Sequence, residues 1–511
     1  MSRPRLAAIS LLCMALLVAG CASTSAQPAA VVSTPTPPPA PTPPPAPTPA
    51  PTSVPSPTPQ PVFAAGSSVA GVDLSGLTLD AAAARLRTEL AAPALIELRV
   101  GDTSLSLDPA TIGLAAPVDE LLAQATPSLG AARPASIPLA LTLDEAALRA
   151  QLEPLAAKLA VPAEIRVITG TDVLSRSFAY TPGQALDLDA ATKLLAEGLA
   201  AGEQGPFELE LAEDASPPRV SLERLREEVE AMASTWKGVV GFHLHDLERG
   251  EAIGFQDKTV FAGASTIKVA IMLNAYVNLA SFDKLEQGWL KKMIVESDNL
   301  AANGLLAAAA GGQGTEYAFV GADEMSTMLQ KQLGLEHTYL FVPYETGDYI
   351  KLYKPKFRCG PAGPVGAKPY TEMGACLRAE PASIARIYLL IDQCANGEGE
   401  LLELFERLRP QRCQEMLDRL EANGDKTRMR AGIPKAVRVE HKSGWIENMQ
   451  ADAGIVRSPG GDYVVSIYAY RPLPKGQFLW SNEVMAPVVA AFSRLAYTAY
   501  NPVRLDPTVA N

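Results

Sequence analysis

Apolar and polar positions follow different periods in different parts of this chain. Near the start, Leu6 to Ala19 is an apolar run behind Arg3 and Arg5. Between Ala29 and Pro61, proline, threonine and alanine dominate. Beyond Leu77 the two regular patterns take turns. Leu77-Thr78-Leu79-Asp80 precedes AAAARLRTEL, and Leu141-Thr142-Leu143-Asp144 precedes EAALRAQLEPL. In both, Asp is expected as an N-cap with an Ala/Leu-rich helix behind it. Leu186-Asp187-Leu188-Asp189 before AATKLLAEGLAAG repeats the arrangement more loosely. Alternating stretches at Ala94 to Val100, Ser104 to Leu107 and Phe207 to Leu211 predict strands between these helices. Residues 67–215 therefore predict two small α+β modules, drawn as 67–130 and 131–217.

After Pro217-Pro218 the pattern changes. A helix is predicted from Leu222 to Trp236, then a strand over 238–245, a turn at Asp246 to Gly250, and a returning strand over 251–255. Helical spacing dominates to about residue 425. Strand signals return at Val437 to Glu440, Ala451 to Arg457 and Tyr463 to Tyr470, with Ser458-Pro-Gly-Gly-Asp462 as a hairpin turn. A final amphipathic helix is expected from about Glu483 to Ala499. The two ends of 218–505 thus build one antiparallel sheet, and the middle is helical: an α+β fold with helices flanking the sheet and a helical subdomain.

Composition narrows the function. At 511 residues and 48% hydrophobic content, most of the chain should be globular. A net charge of −12, with no Lys/Arg run to offset it, argues against nucleic acid as a partner. Residues 1–21 have the charged start, short apolar core and small-residue end of a secretory signal. Leu17-Val18-Ala19-Gly20-Cys21 resembles a bacterial lipobox. That resemblance implies cleavage before Cys21, lipid on its thiol, and an exported protein anchored at the outer face of the cell membrane, in the envelope. Residues 22–66 are then a Pro-rich linker. Polyproline II at ~3.1 Å per residue would make about 35 residues a spacer of roughly 100 Å.

Of six cysteines, Cys13 leaves with the signal and Cys21 takes lipid. Cys359, Cys376, Cys394 and Cys413 remain. An exported protein favours disulfides. Three connectivities are open, and proximity along the chain favours Cys359–Cys376 and Cys394–Cys413. The spacings do not match a zinc site, and no histidine lies among them.

Candidate chemistry begins with a serine followed three positions later by a lysine. Such a pair shares one helix face, and a neutral amine there could take the serine proton. The chain has this spacing at Ser234/Lys237, Ser265/Lys268 and Ser281/Lys284. The first and third sit at helix ends and predict solvated turns. Ser265 opens the apolar run Val269-Ala-Ile-Met-Leu273, at the first turn of a buried helix. There, backbone N–H groups point at whatever the serine attacks, and burial lowers the lysine pKa. Residues 67–215, by contrast, carry no histidine, no cysteine and no paired carboxylates near a Gly loop, which points to binding or spacing.

Two further motifs follow in order: Ser297-Asp298-Asn299, and Lys442-Ser443-Gly444 on a predicted strand. The ordered triplet resembles the penicillin-recognising serine hydrolases, most closely class A β-lactamase-like domains, over about 218–500. The resemblance implies Ser265 as nucleophile and Lys268 as base or proton relay. It implies an oxyanion hole from the backbone N–H groups of Ser265 and Trp445. Ser297 would pass a proton to the leaving nitrogen, Asn299 would bind the substrate amide, and Lys442 and Ser443 the substrate carboxylate. Asp298 would brace its loop. No cofactor or metal is implied. GVDLSGLTLDAAAARL and TPGQALDLDAATKLLAEGL, in turn, resemble peptidoglycan-binding modules found upstream of envelope catalytic domains.

The pattern departs from class A in places. Ser265 to Ser297 is short, and Asn299 to Lys442 is long. Class A enzymes deacylate with a glutamate in a Glu-x-x-x-Asn frame, and none occurs between Asn299 and Lys442. Glu345 is the candidate for deacylation, but Tyr349 stands where the Asn would be. Three functions follow. One is an envelope-tethered hydrolase of β-lactams or related peptidoglycan stem-peptide amides, with antibiotic resistance as its consequence. The second is a D,D-peptidase-like or penicillin-binding protein that acylates and stalls. The third is a non-catalytic wall-binding lipoprotein. His441, His243, His245 and His337 are expected to be structural, with no acidic partner evident for a Ser–His pair.

Overall fold

The computed structural model describes residues 60–91, 94–170, 174–214, 217–473 and 481–505. The expected signal segment, Cys21 and nearly all of the expected Pro-rich linker lie outside the described residues.

The N-terminal part is helical and stranded by turns, as its periodicity predicts. Helices occupy Leu79–Glu89, Val118–Ala125, Glu145–Leu159 and Leu188–Ala200. Asp144 caps the third, accepting from Ala147 N. The first and last start earlier than expected. Thr78 is the N-cap of the first and Asp187 that of the last, each extended with its side chain on the first turn. Asp80 and Asp189 instead lie inside the first turn, where their charge meets the positive end of the helix dipole. The strand Ile96–Val100 pairs antiparallel with Thr103–Leu107 and parallel with Phe207–Leu209. Its core therefore mixes Ile96 and Leu98 with Leu148, Leu195 and Phe207 from later in the chain. A second, smaller core gathers Phe63, Val69, Leu74, Leu86 and Leu121.

The larger domain opens with α1 (Leu222–Ser234), capped by Ser221, whose side chain accepts from Arg224 N. Strands β1 (Val239–Asp246) and β2 (Ala252–Phe255) form the first hairpin. A helical insertion follows: α2 (Lys268–Asn278), α3 (Lys284–Lys291), α4 (Asn299–Ala309), α5 (Gly314–Lys331), α6 (Pro381–Ala395) and α7 (Pro410–Glu421). Strands β3 (Arg438–Ile446), β4 (Met449–Ser458) and β5 (Gly461–Tyr470) complete the sheet, and α8 (Ala486–Tyr500) closes the domain. Strand order is β2-β1-β5-β4-β3, all antiparallel.

The sheet is buried on both faces, and period two decides which side each residue serves. On β5, Val464, Tyr468 and Tyr470 face the helical insertion. Tyr463, Val465, Ile467 and Ala469 face α1 and α8. Cys359–Cys376 and Cys394–Cys413 are the disulfides, as proximity along the chain favoured.

The N-terminal part is stitched to this domain. Phe178 is buried in the core shared by α1 and α8. Its N–H donates to Thr498 Oγ1 at 3.0 Å. Val503–Arg504, after α8, runs parallel to Ala179–Tyr180 as an added strand. Arg176 pairs with Glu228 of α1 at 2.8 Å, both largely buried.

Candidate active site

Three separate elements bring the motif residues together. Ser265 lies in a tight turn between the short strand Phe261–Ala262 and α2. Regular helix begins only at Lys268. The lead-in is tighter, with Thr266 N donating to Gly263 O and Lys268 N to Ser265 O. Ala264, just before the serine, holds φ at +42°. Ser265 is half-buried, while every residue of α2 from Lys268 to Tyr276 is buried. The other two Ser-x-x-Lys pairs differ sharply: Ser234, Lys237, Ser281 and Lys284 are all exposed.

Lys268 is fully buried. Its Nζ donates to Ser297 O at 2.6 Å, to Asn299 Oδ1 at 2.7 Å and to Ser297 Oγ at 3.3 Å. Among the described residues, no hydrogen bond joins it to Ser265 Oγ. Burial, then the nearby Lys442 charge, pulls its pKa down to about 7, against the opposing pull of Asp298 and Glu345. Lys442 approaches the same hydroxyl from β3, its Nζ 3.1 Å from Ser297 Oγ and 2.9 Å from Ser443 O. Burial lowers Lys442 to about 8, while Asp452 and Asp425 oppose that fall.

Ser297 itself sits at φ +58°, at the junction of a π-helical turn with α4. Asp298 is the N-cap of α4, its carboxylate accepting from Ala301 N at 2.7 Å, so it braces the loop as expected. The strand carrying Lys442 and Ser443 passes tightly over Ser265. A Cβ on Gly444 would stand 2.8 Å from Ser265 N and 2.7 Å from Thr266 N, so only glycine lets the strand come this near. Trp445, next along, is 57% exposed.

Glu345 reaches the cluster through Asn299, whose Nδ2 donates to Glu345 Oε1 at 2.7 Å. It too has positive φ, +56°. Three of the six non-glycine residues with positive φ among the described residues are thus Ala264, Ser297 and Glu345. Backbone strain of this kind, of order 1–3 kcal/mol per residue, gathers at functional sites.

Some participants had no sequence signal. Tyr344 lies with its ring 4.7 Å from Lys268 Nζ and its hydroxyl donating to Ala264 O at 2.7 Å. Asn303, one turn beyond Asn299, clamps the Tyr344 backbone through both N–H and C=O. Nothing but proximity to Glu345 marks Tyr344 in the sequence. The histidines correct an expectation: two do have acidic partners. His243 pairs with Asp257 at 2.8 Å, and His441 with Asp452 at 2.9 Å, the latter wholly buried. His441 and Asp452 lie on the adjacent strands β3 and β4, His243 on β1 meets Asp257 in the turn after β2, and among the described residues no hydrogen bond joins either histidine to Ser265. A cleft of about 830 Å³ lined by Phe319, Tyr349, Tyr353 and Phe357 includes none of the motif residues.

Residues 224–285 and 381–501 match the family model described as the beta-lactamase enzyme family. Those segments carry Ser265, Lys268, Lys442 and Ser443, and leave Ser297, Asn299 and Glu345 between them. Over those segments the chain is similar to that family, and its α+β fold is β-lactamase-like. Among solved structures, PBP-A is 21% identical over 56% of this chain and 98% of its own, with a TM-score of 0.40. A PBP-A mutant, as the acyl-enzyme complex with penicillin G, is 22% identical over 56% and 99%, at 0.39. A class A β-lactamase from Mycobacterium abscessus is 16% identical over 54% and 99%, at 0.38. No curated protein matches the chain.

Proposed function

We propose that this protein is an envelope-tethered serine hydrolase that works through an acyl-serine on β-lactams or related peptidoglycan amides. The carrying observation is Lys268: a fully buried amine brought to about 7, one helical turn from Ser265 and bonded to Ser297 and Asn299. An amine with that pKa is substantially neutral at physiological pH and able to accept a proton.

In this reading Ser265 Oγ attacks the carbonyl and its proton passes to Lys268. The C–N bond breaks, and Ser297, between the two lysines, delivers a proton to the leaving nitrogen. The N–H groups of Ser265 and Trp445 hold the oxyanion, and Lys442 with Ser443 holds the substrate carboxylate. Water then hydrolyses the ester. Lipid on Cys21 would anchor the chain at the outer face of the membrane, the Pro-rich stretch would give reach, and 67–217 would bind peptidoglycan.

The second half-reaction favours a variant of this reading. Glu345 is exposed and bonded to Asn299, and Tyr349 replaces the amide that would help hold a water. Acylation should therefore outrun deacylation, giving penicillin-binding behaviour with slow turnover. Purified protein incubated with a fluorescent penicillin should carry label on Ser265 and turn over a chromogenic cephalosporin slowly. Ser265→Ala should carry none. Equal labelling of both proteins would refute the assignment of the nucleophile, and no labelling of the parent would refute the function.

A further inference from the structure

We propose that Tyr344 is a positioning residue that holds the base and the nucleophile in one arrangement, its ring against the Lys268 amine and its hydroxyl on the turn that carries Ser265. This rests on the hydrolase reading for its kinetic consequences, but not for its geometry.

The placement is specific. The ring centroid is 4.7 Å from Lys268 Nζ, within range for a cation over a ring face. The phenol donates to Ala264 O at 2.7 Å. Ala264 is the residue at φ +42° immediately before Ser265, so this bond holds the turn in a conformation that an alanine does not choose by itself. Burial pushes the phenol far above its ordinary pKa, so it remains a neutral donor throughout the working range. Asn303 fixes the Tyr344 backbone at both N–H and C=O, so the ring cannot drift without breaking those two bonds. One side chain thus touches both the lysine of α2 and the turn that leads into it.

The two functions of the side chain separate by substitution. The ring favours the charged amine, in the same direction as Asp298 and Glu345 and against Lys442 and burial. Tyr344→Leu keeps an apolar filler and removes the ring. Tyr344→Phe keeps the ring and removes the hydroxyl. Lysine ε-carbon NMR titration of the whole protein, with the Lys268 signal assigned through Lys268→Arg, reads the amine without any substrate. Tyr344→Leu should lower the Lys268 midpoint by about half to one pH unit. Tyr344→Phe should leave the midpoint in place and slow penicillin acylation several-fold at its optimum pH.

An unchanged midpoint in Tyr344→Leu would overturn the proposal. So would a raised one, which would mean the ring only excludes water. Parental acylation in Tyr344→Phe would overturn the role of the hydroxyl. If the parent is never acylated while the Leu variant shifts the midpoint, the hydrolase reading fails and the positioning of Lys268 by Tyr344 stands.

Discussion

Ser297 Oγ lies between two amines, 3.3 Å from Lys268 and 3.1 Å from Lys442. Two full charges that close are mutually unfavourable, and burial removes the water that would screen them. The arrangement resolves by ordering the two pKa values, about 7 for Lys268 and about 8 for Lys442. In the proposed reaction Lys268 must be neutral to accept a proton, which requires pH above about 7. Lys442 must be charged to hold a carboxylate, which requires pH below about 8. The acylation rate constant at low penicillin should therefore be bell-shaped, with its maximum between these values. Lys442→Met should weaken binding and, by removing the repulsion, move the acid limb to higher pH. A rate flat from pH 6 to 9 would exclude both assignments. Gly444→Ala tests the close approach of β3. Its Cβ would push against Ser265 N and Thr266 N, so labelling should fall by about 10²-fold, the scale of a lost oxyanion donor, and the melting temperature should fall as the backbone shifts to make room.

At the scale of elements, helix starts do the positioning. The N-cap of α4 is Asp298, and its two chain neighbours are site residues, so one carboxylate both ends a helix and sets Ser297 and Asn299. Asp298→Ala should cost about 1 kcal/mol by chemical denaturation and reduce acylation by more than that loss explains. A variant with unaltered acylation would show that the cap is purely structural. This scale also shows how far the sequence can be read. The hairpins, α1, α8 and the burial of the helix behind Ser265, against two exposed Ser-x-x-Lys pairs, were legible, because apolar period and burial travel together along a short stretch. Thr78 and Asp187 as caps were not, since Leu-Thr-Leu-Asp and Leu-Asp-Leu-Asp each offer two capping side chains and backbone extension chooses between them. Tyr344 and Asn303 were not, because their contacts arise only where the segment after α5 folds back to meet α4 and the turn before α2. Glu345 was legible as a candidate, while its bond to Asn299 is a tertiary fact.

On the scale of the whole molecule, the larger domain and the part before it share structure. Phe178 enters the core of α1 and α8, and Val503–Arg504 extends the strand pair of 164–181. Deleting residues 503–511 should free that contact while leaving α8 in place. Limited proteolysis should then cut faster between residues 160 and 217, with fluorescent-penicillin labelling preserved. Unchanged proteolysis would show that the core contact at Phe178 suffices without the added strand.

The sheet order carries one more consequence. β1 and β5 are neighbours, with Asp246 opposite Tyr463, across the whole helical insertion. A chain emerging from a ribosome in order would present β1 long before its central partner exists. Loop closure over such a span is slow, and the unpaired edge is exposed meanwhile. Ser265 would be made early and the strand β3 that passes over it late, so the cluster around Ser265 could close only after the whole insertion had been made.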